Sequence, residues 1–586
     1  MAARLTTYVV VAIVAATLIA GLIVGAQRDD SSGPVDLIIY NAKVYAADAL
    51  GTMAEAVAVR GNTILRVGTN REILRYRRPQ TTAIDAKGVA VVPGFNDAHA
   101  SFIAGGLARD GVNLFDAATL DEMQDRVTAW AEGHPDAAWI AGRGWMYQRF
   151  ADLPTRAQLD TALTERPVIL MSQDGHAAWV NTKALQTAGI TKRSPNPRNG
   201  VIVRDARTGE PSGLLKDGAV ALVLRAMPQL TREERARALR LAIRDAHEHG
   251  ITSVQDVGSS AADLELYDEA RRAGDLTVRV YAAVSATAHP PADRTGAVDV
   301  RSKRYVDDPL LKTGLAVIAL DGTIDSQTAS MLEPYEPRGA GTGLLKMSPA
   351  DLNGLVRTLD KQGWQVAIQA NGDRAVRLAL DAYESASTQE TATARGRRHR
   401  VEGLEVLDPE DLSRFRALNL VAALQPLHGT TDRLRVWSRN VGPDRAPFGW
   451  ASASLMNAGA HVAFGTDWPN LPLDPIAGLS AAVTRAAPTD RAADPVETET
   501  VADVRYQTLE KLPLKSAINA WTSNAAWASF DEHRKGVIKP GMLADLVVLS
   551  TDIFSGPPER LASTEVNVTI FDGKVVYRRD QRHSTN

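Results

Sequence analysis

Eight short runs rich in aliphatic and β-branched residues recur through the middle of this chain: Val89–Val92, Ile251–Val254, Val278–Val284, Leu315–Leu320, Gln365–Ile368, His399–Val401, Val421–Leu424 and Val462–Gly465. Between them lie segments of helical periodicity. Thr231-Arg-Glu-Glu234 is a capping box, Leu239, Ala242, Ile243 and Ala246 share one helical face, and Gly250 ends that helix just before the next strand. Ser348-Pro-Ala-Asp351 opens another helix with proline at its first position, and Gly363 closes it before the fifth strand. Eight strands alternating with helices predict an α/β fold, a closed (β/α)8 TIM barrel. An open doubly wound sheet is the alternative. No Gly-x-Gly-x-x-Gly run follows any of these strands, so a dinucleotide site has no support.

The two ends of the chain have a different texture. Asp36–Tyr40, Asn41–Tyr45, Ala56–Val59 and Thr63–Val67 are short strands punctuated by turns, and so are Ala544–Leu549, Val566–Ile570 and Lys574–Tyr577. Neither patch buries a core alone, which predicts one composite β-sandwich built from both ends with the barrel inserted between them. The gap of about 150 residues between the first and second barrel strands is far longer than one crossover connection and implies an inserted subdomain. The resulting division is a leader and linker over 1–33, sandwich over 34–92 and 528–580, and barrel over 93–527 with an insertion at about 105–230.

Thr7–Ala26 carries no charge and is long enough to cross a bilayer as a helix. Arg4 before it and Arg28-Asp29-Asp30 after it favour an inside N-terminus, so the expectation is a transmembrane anchor with the body outside the cytoplasm, periplasmic or at the cell surface. The small residues Val24-Gly25-Ala26 keep a cleaved signal peptide, and a secreted protein, open. A formal net charge of −3 gives no reason to expect a nucleic-acid partner. The absence of cysteine excludes disulfides, thiolate metal sites and cysteine nucleophiles. Oligomeric state is not legible.

Barrel enzymes draw their reactive groups from the C-terminal ends of several strands. Those ends here supply Asp97, His99 and Ser101; Gln255 and Asp256; Asp321; Gln369, Asn371 and Asp373; Glu402 and Gly403; Gln425 and His428; and Thr466 and Asp467, with His289 beyond the third strand. The first and last strands are neighbours in a closed barrel, which predicts that His99 and Asp467 lie close together. An aspartate that orients a histidine makes an acid–base pair; the same contact also serves simply to hold two strand ends together.

The motifs Pro93-Gly-Phe-Asn-Asp-Ala-His99, Gly142-Arg-Gly-Trp145, Asp174-Gly-His-Ala-Ala-Trp-Val-Asn181, Arg398-His-Arg-Val-Glu402, Gln425-Pro-Leu-His428 and Phe464-Gly-Thr-Asp-Trp-Pro469 occur in this order. In them the chain resembles the amidohydrolase superfamily, in the "amidohydrolase 3" group that includes N-substituted formamide deformylases. The resemblance implies a TIM barrel with a β-sandwich. It also implies that His176 and Asn181 belong to a substrate pocket, which Trp145, beside a retained motif, and the strand-end residues Asp321, Gln369, Glu402 and His428 are expected to complete. The family's metal set is His-x-His on strand one, often a carboxylated lysine on strand four, histidines on strands five and six, and aspartate on strand eight. Here His99 and Asp467 match, but Ser101, Val317, Gln369 and Gly403 stand at the other positions. Catalytic zinc takes at least three protein ligands. The expectation is therefore no bound metal, with a single divalent ion such as zinc, recruiting Asp97, Gln369 or Glu402, as the alternative.

Zinc lowers the pKa of bound water by about nine units, roughly 12 kcal/mol. A general base supplies only about 3–5 kcal/mol. A metal-free descendant therefore needs an activated substrate. Two functions follow from these residues: a hydrolase of non-peptide C–N bonds in small amide or formamide-type molecules, with His99 and Asp467 as its catalytic pair, or a non-catalytic small-molecule binder that keeps the fold and the pocket.

Overall fold

The computed structural model describes residues 34–150, 152–197, 200–286, 305, 307–336, 341–388, 396–430, 434–486 and 510–579. At its centre eight parallel strands follow one another in chain order: β1 (Phe95–Ala100), β2 (Ile251–Asp256), β3 (Arg279–Ser285), β4 (Leu311–Ala319), β5 (Gln365–Ala370), β6 (Arg400–Gly403), β7 (Val421–Leu424) and β8 (His461–Phe464). The sheet curls until β8 meets β1, and the seam is sealed beyond the strand ends. There the Asp467 N–H donates to the His99 carbonyl at 2.8 Å and the Ser101 N–H to the Trp468 carbonyl at 2.7 Å. This is a nearly closed TIM barrel.

Local chemistry explains the helices that clothe it. Thr231 and Glu234 cap each other at the start of helix Arg232–Glu248, and Ser348 accepts from the Asp351 N–H at the start of helix Pro349–Lys361. Gly250 (φ +74°) lets the chain reverse directly from the first of these helices into β2. Inside the barrel, Tyr281, Ala283, Leu315, Val317 and Ala367 form one apolar layer, and the outward residues of the same strands pack beneath the helices.

One strand is placed differently from the sequence expectation. Val89–Val92 is not the first barrel strand. Ala90–Pro93 pairs with Lys43–Tyr45 and, antiparallel, with Leu546–Leu549, in a six-stranded sheet that joins both ends of the chain. Only after Gly94 does the chain enter the barrel. Both segments are buried strands, so hydrophobicity could not separate them, and the polar residues Asn96, Asp97 and His99 masked β1. A four-stranded sheet of residues from Leu37–Gly68 and Thr82–Asp85 packs against the six-stranded one through Val44, Val57, Val91 and Ile570. Between β1 and β2 stands a further six-stranded mixed sheet, which includes Ile140–Trp145, Val168–Ser172 and Ala177–Val180. The apolar segment Thr7–Ala26 and His289 lie outside the described residues. Among the described residues no helix is long and apolar enough to cross a membrane.

A buried ion pair joins barrel to sandwich. The Arg279 guanidinium on β3, only 4 % exposed, donates to both oxygens of Asp545 at 2.7 and 3.0 Å and to Asp572 at 2.8 Å. Removing Asp545 takes away two of the three carboxylate contacts and leaves the buried guanidinium with the partly exposed Asp572 alone, which costs up to about 3–5 kcal/mol. Asp545→Ala should therefore lower unfolding free energy by about that much in denaturant titration; a loss below about 1 kcal/mol, as for an exposed pair, contradicts this reading.

Candidate active site

The C-terminal mouth of the barrel carries a line of alternating charges. It begins at Arg400 on β6, fully buried, whose guanidinium reaches the Ala98 carbonyl at 2.6 Å and the Gln255 side chain. The same guanidinium lies 2.8 Å from Glu402 Oε1. Residues two apart on a strand share a face, so Arg400 and Glu402 both point into the barrel. Glu402 Oε2 in turn meets His99 Nδ1 in a short contact. His99 Nε2 lies 3.5 Å from Asp467 Oδ1, and Asp467 Oδ2 accepts from His428 Nε2 at 2.9 Å. The order is thus Arg400, Glu402, His99, Asp467, His428.

The protonation states follow from this order. Burial disfavours a charge on His99, but Glu402 and Asp467 outweigh it and raise its pKa to about 10, so the ring is an imidazolium at neutral pH. Burial also works against the Glu402 and Asp467 carboxylates. Arg400 and His99 hold Glu402 below its ordinary range nonetheless, and His428 and His99 hold Asp467 well below its own. An ionised Asp467 fixes the hydrogen on His428 Nε2, which leaves Nδ1 as a lone-pair acceptor. Asp467 is further held by the Asn470 amide, 3.2 Å from each carboxylate oxygen, and Asn470 is held by Arg143. Burial brings the Arg143 guanidinium down to about 10, against the attraction of Asp467. Asp467 itself sits at φ +59°, a left-handed conformation that short polar residues tolerate best and that concentrates at functional sites.

His428 lines a cleft of about 440 Å³, open mouth included, together with Tyr147, Asp174, Asp325, Glu405, Trp437 and Trp450. Asp174 accepts from Thr323 at 2.7 Å and Ser326 at 2.9 Å, which ties the inserted sheet to the loop after β4. Glu405 accepts from the Ile324 N–H at 3.2 Å, and burial together with Asp325 pushes its carboxyl well above the ordinary range.

The residues singled out from the sequence divide. His99, Asp467, Glu402 and His428 come together in the charged line. Gln369 is in register with Glu402, on the same face and partly exposed. Trp145 borders the cleft, but its indole N–H is spent on the Leu170 carbonyl at 2.8 Å. Asn181 is no pocket residue. It caps helix Thr182–Thr187 and donates to the Leu163 and Arg166 carbonyls, both at 2.9 Å. Asp321 accepts backbone N–H groups from Ser330, Asn371 and Gly372 and so shapes the β4 end instead of facing a ligand. His176 pairs with Asp217 at 2.7 Å within the inserted sheet. Arg400, Glu405, Asp325, Trp437 and Trp450 were not expected. Of these only Arg400 carried a signal, its two-residue spacing from Glu402.

These donors do not fit a zinc ion. Val317 lies in the apolar layer of the barrel. Gly403 has φ +90°, and a Cβ there would stand 2.0 Å from Asn371 Oδ1, so no side chain reaches the site from that position. His99 Nδ1 is occupied by Glu402. Among the described residues, no group of three or more His, Asp or Glu side chains is arranged to hold a metal.

Comparison with known proteins agrees with the fold. The amidohydrolase family profile matches residues 82–577. The chain is 31 % identical to the protein LONG AFTER FAR-RED 3 of Arabidopsis thaliana, over 92 % of this chain and 91 % of that one. It is 30 % identical to the putative amidohydrolase YtcJ of Bacillus subtilis (92 % and 98 %) and 27 % identical to the N-substituted formamide deformylase of Arthrobacter pascens (93 % and 98 %). Among solved structures, an uncharacterised metal-dependent hydrolase from Pyrococcus horikoshii superposes with a TM-score of 0.67 at 22 % identity, over 87 % of this chain and 96 % of that one. A barrel with its sandwich completed from both chain ends, a charged strand-end site and these matches lead to one assignment: the chain belongs to the amidohydrolase family.

Proposed function

We propose that this chain hydrolyses a non-peptide C–N bond of a small amide or formamide-type molecule held in the cleft, and does so without a metal. The observation that supports this most is the Asp467–His428 contact at 2.9 Å, which sets a carboxylate-oriented imidazole on the cleft wall. His428 Nδ1 is the general base that takes a proton from water as it attacks the carbonyl, and it returns that proton to the leaving nitrogen. His99 is a positioning residue: as an imidazolium held by Glu402 it has no lone pair to act as a base, and it holds Asp467 in place instead. The substrate class is in keeping with the formamide-deformylase relative. A second reading, a non-catalytic binder of small molecules, draws on Ser101, Val317, Gln369 and Gly403 at the positions of family metal ligands.

Turnover of a panel of small amides and formamides separates the two readings. His428→Asn should lower kcat by about 10²–10⁴-fold with KM little changed. Absence of turnover by the wild type with every member of the panel supports the binder. Exhaustive dialysis against a chelator should leave kcat unchanged, and activity that vanishes and returns with zinc overturns the metal-free mechanism. The His99 charge makes a pH-dependent contribution to stability. It is fully present below the ordinary histidine value of 6.5 and is lost as pH rises through about 10. In denaturant melts the advantage of the wild type over His99→Gln should shrink across that window; an advantage that grows with pH contradicts the imidazolium.

A further inference from the structure

The cleft that His428 lines also contains groups that the hydrolytic step does not use. Trp437 and Trp450, each 3 % exposed, stand with ring centroids 4.8 Å apart and planes tilted by 40°. Among the described residues, neither indole Nε1–H has a hydrogen-bond partner. Buried indole donors normally find one, so two unpartnered donors on one cleft wall point to an acceptor that a ligand brings. The pair is held at some conformational cost. Trp450 lies at φ +44°, which is rare for a bulky residue, and the buried Arg485 guanidinium grips the carbonyls of Gly449 and Trp450 at 3.3 and 3.5 Å. Gly449 has no room for a side chain, because a Cβ there would stand 2.4 Å from the Trp437 ring. Beside the indoles are carboxyl groups. The strongest electrostatic influences on Glu405 come from Asp325, Asp174 and Asp321, all of its own sign. Acidic groups crowded beside aromatic faces suit a cation, which the rings and Asp325 attract and which offsets the like-charge crowding that, after burial, favours a protonated Glu405.

We infer that the cleft selects a small organic cation, a molecule whose protonated nitrogen lies among Asp325, Glu405 and the Trp437 and Trp450 faces and whose carbonyl accepts from the indole N–H groups. This rests on the cleft being the substrate site proposed above, and it narrows the substrate class to amides that carry a second, cationic nitrogen. The arrangement also orients the substrate: with the cation anchored on the carboxyl side, the acyl group is directed to the indole donors and to His428.

Three probes of equal length test it: N-acetylputrescine (cationic), N-pentylacetamide (neutral) and acetamidopentanoate (anionic), titrated calorimetrically into the full chain and into the slow variant His428→Asn. The cationic probe should bind about tenfold tighter than the neutral one, and the anion weakest. Asp325→Asn and Glu405→Gln, each isosteric, should each narrow that gap. Trp437→Phe keeps the ring but loses the N–H and should weaken all three probes. Equal binding of neutral and cationic probes, or tightest binding of the anion, overturns the inference. So does failure of the cationic probe to bind a folded wild type. Cation-selective binding without any turnover removes the hydrolase reading and leaves this one standing, whereas turnover without cation preference does the reverse.

Discussion

Glu402 holds the site together. Its carboxylate is fully buried, and burial of an isolated carboxylate is prohibitive unless it is paired. Arg400 and His99 pair it from two sides. Because His99 is engaged there through Nδ1, its Nε2 is turned toward Asp467, and Asp467 in turn orients His428. From Arg400 to Asp467 each charge favours the opposite charge on the next residue, and Asp467 orients His428, so the position of the imidazole on the cleft wall depends on a guanidinium at the far end, deep in the barrel. The barrel seam depends on the same residues, since the backbones of Asp467 and His99 close it.

This arrangement also accounts for the residues at the family's metal positions. In a metal centre the cation at the strand ends is the ion. On the proposed metal-free reading, the positive charge comes instead from Arg400 and the His99 imidazolium, while Val317, Gln369 and Gly403 contribute neutral or no side chains. The left-handed backbone at Gly403 and the closeness of Asn371 leave no room for a side chain there, so placing histidine at that position needs both the chain and its neighbour to move.

The barrel was legible because its signals are local and repeated. The capping box at Thr231, the Ser348-Pro349 helix start and the glycines at 250 and 363 set helix ends that the structure reproduces. The misplacement of the first strand has a physical cause. Val91 and Phe95 belong to two buried strands separated only by Gly94, and only pairing partners far away in the chain, Leu546–Leu549 and Ile251–Asp256, decide which sheet each joins. The approach of His99 to Asp467 followed from barrel closure alone. The rest of the site did not. That His99 is held as a cation depends on Glu402, some three hundred positions away. The indole pair depends on Gly449, Arg485 and a strained Trp450, none of which forms a pattern along the chain. Asn181, conspicuous in its motif, is a helix cap, a role that a pocket motif does not distinguish from ligand contact.

The central claim is that charge alternates from Arg400 through Glu402 and His99 to Asp467, which orients His428, with no metal ion in the line. Nitrogen NMR of the histidine rings tests it most directly, in protein labelled at histidine and assigned with His99→Gln and His428→Asn. At about pH 8, above the ordinary histidine pKa of about 6.5, the account predicts that His99 carries hydrogen on both ring nitrogens and that His428, when neutral, carries it on Nε2 alone. A neutral His99 at that pH, or a ring nitrogen shifted by coordination to a metal, would contradict it.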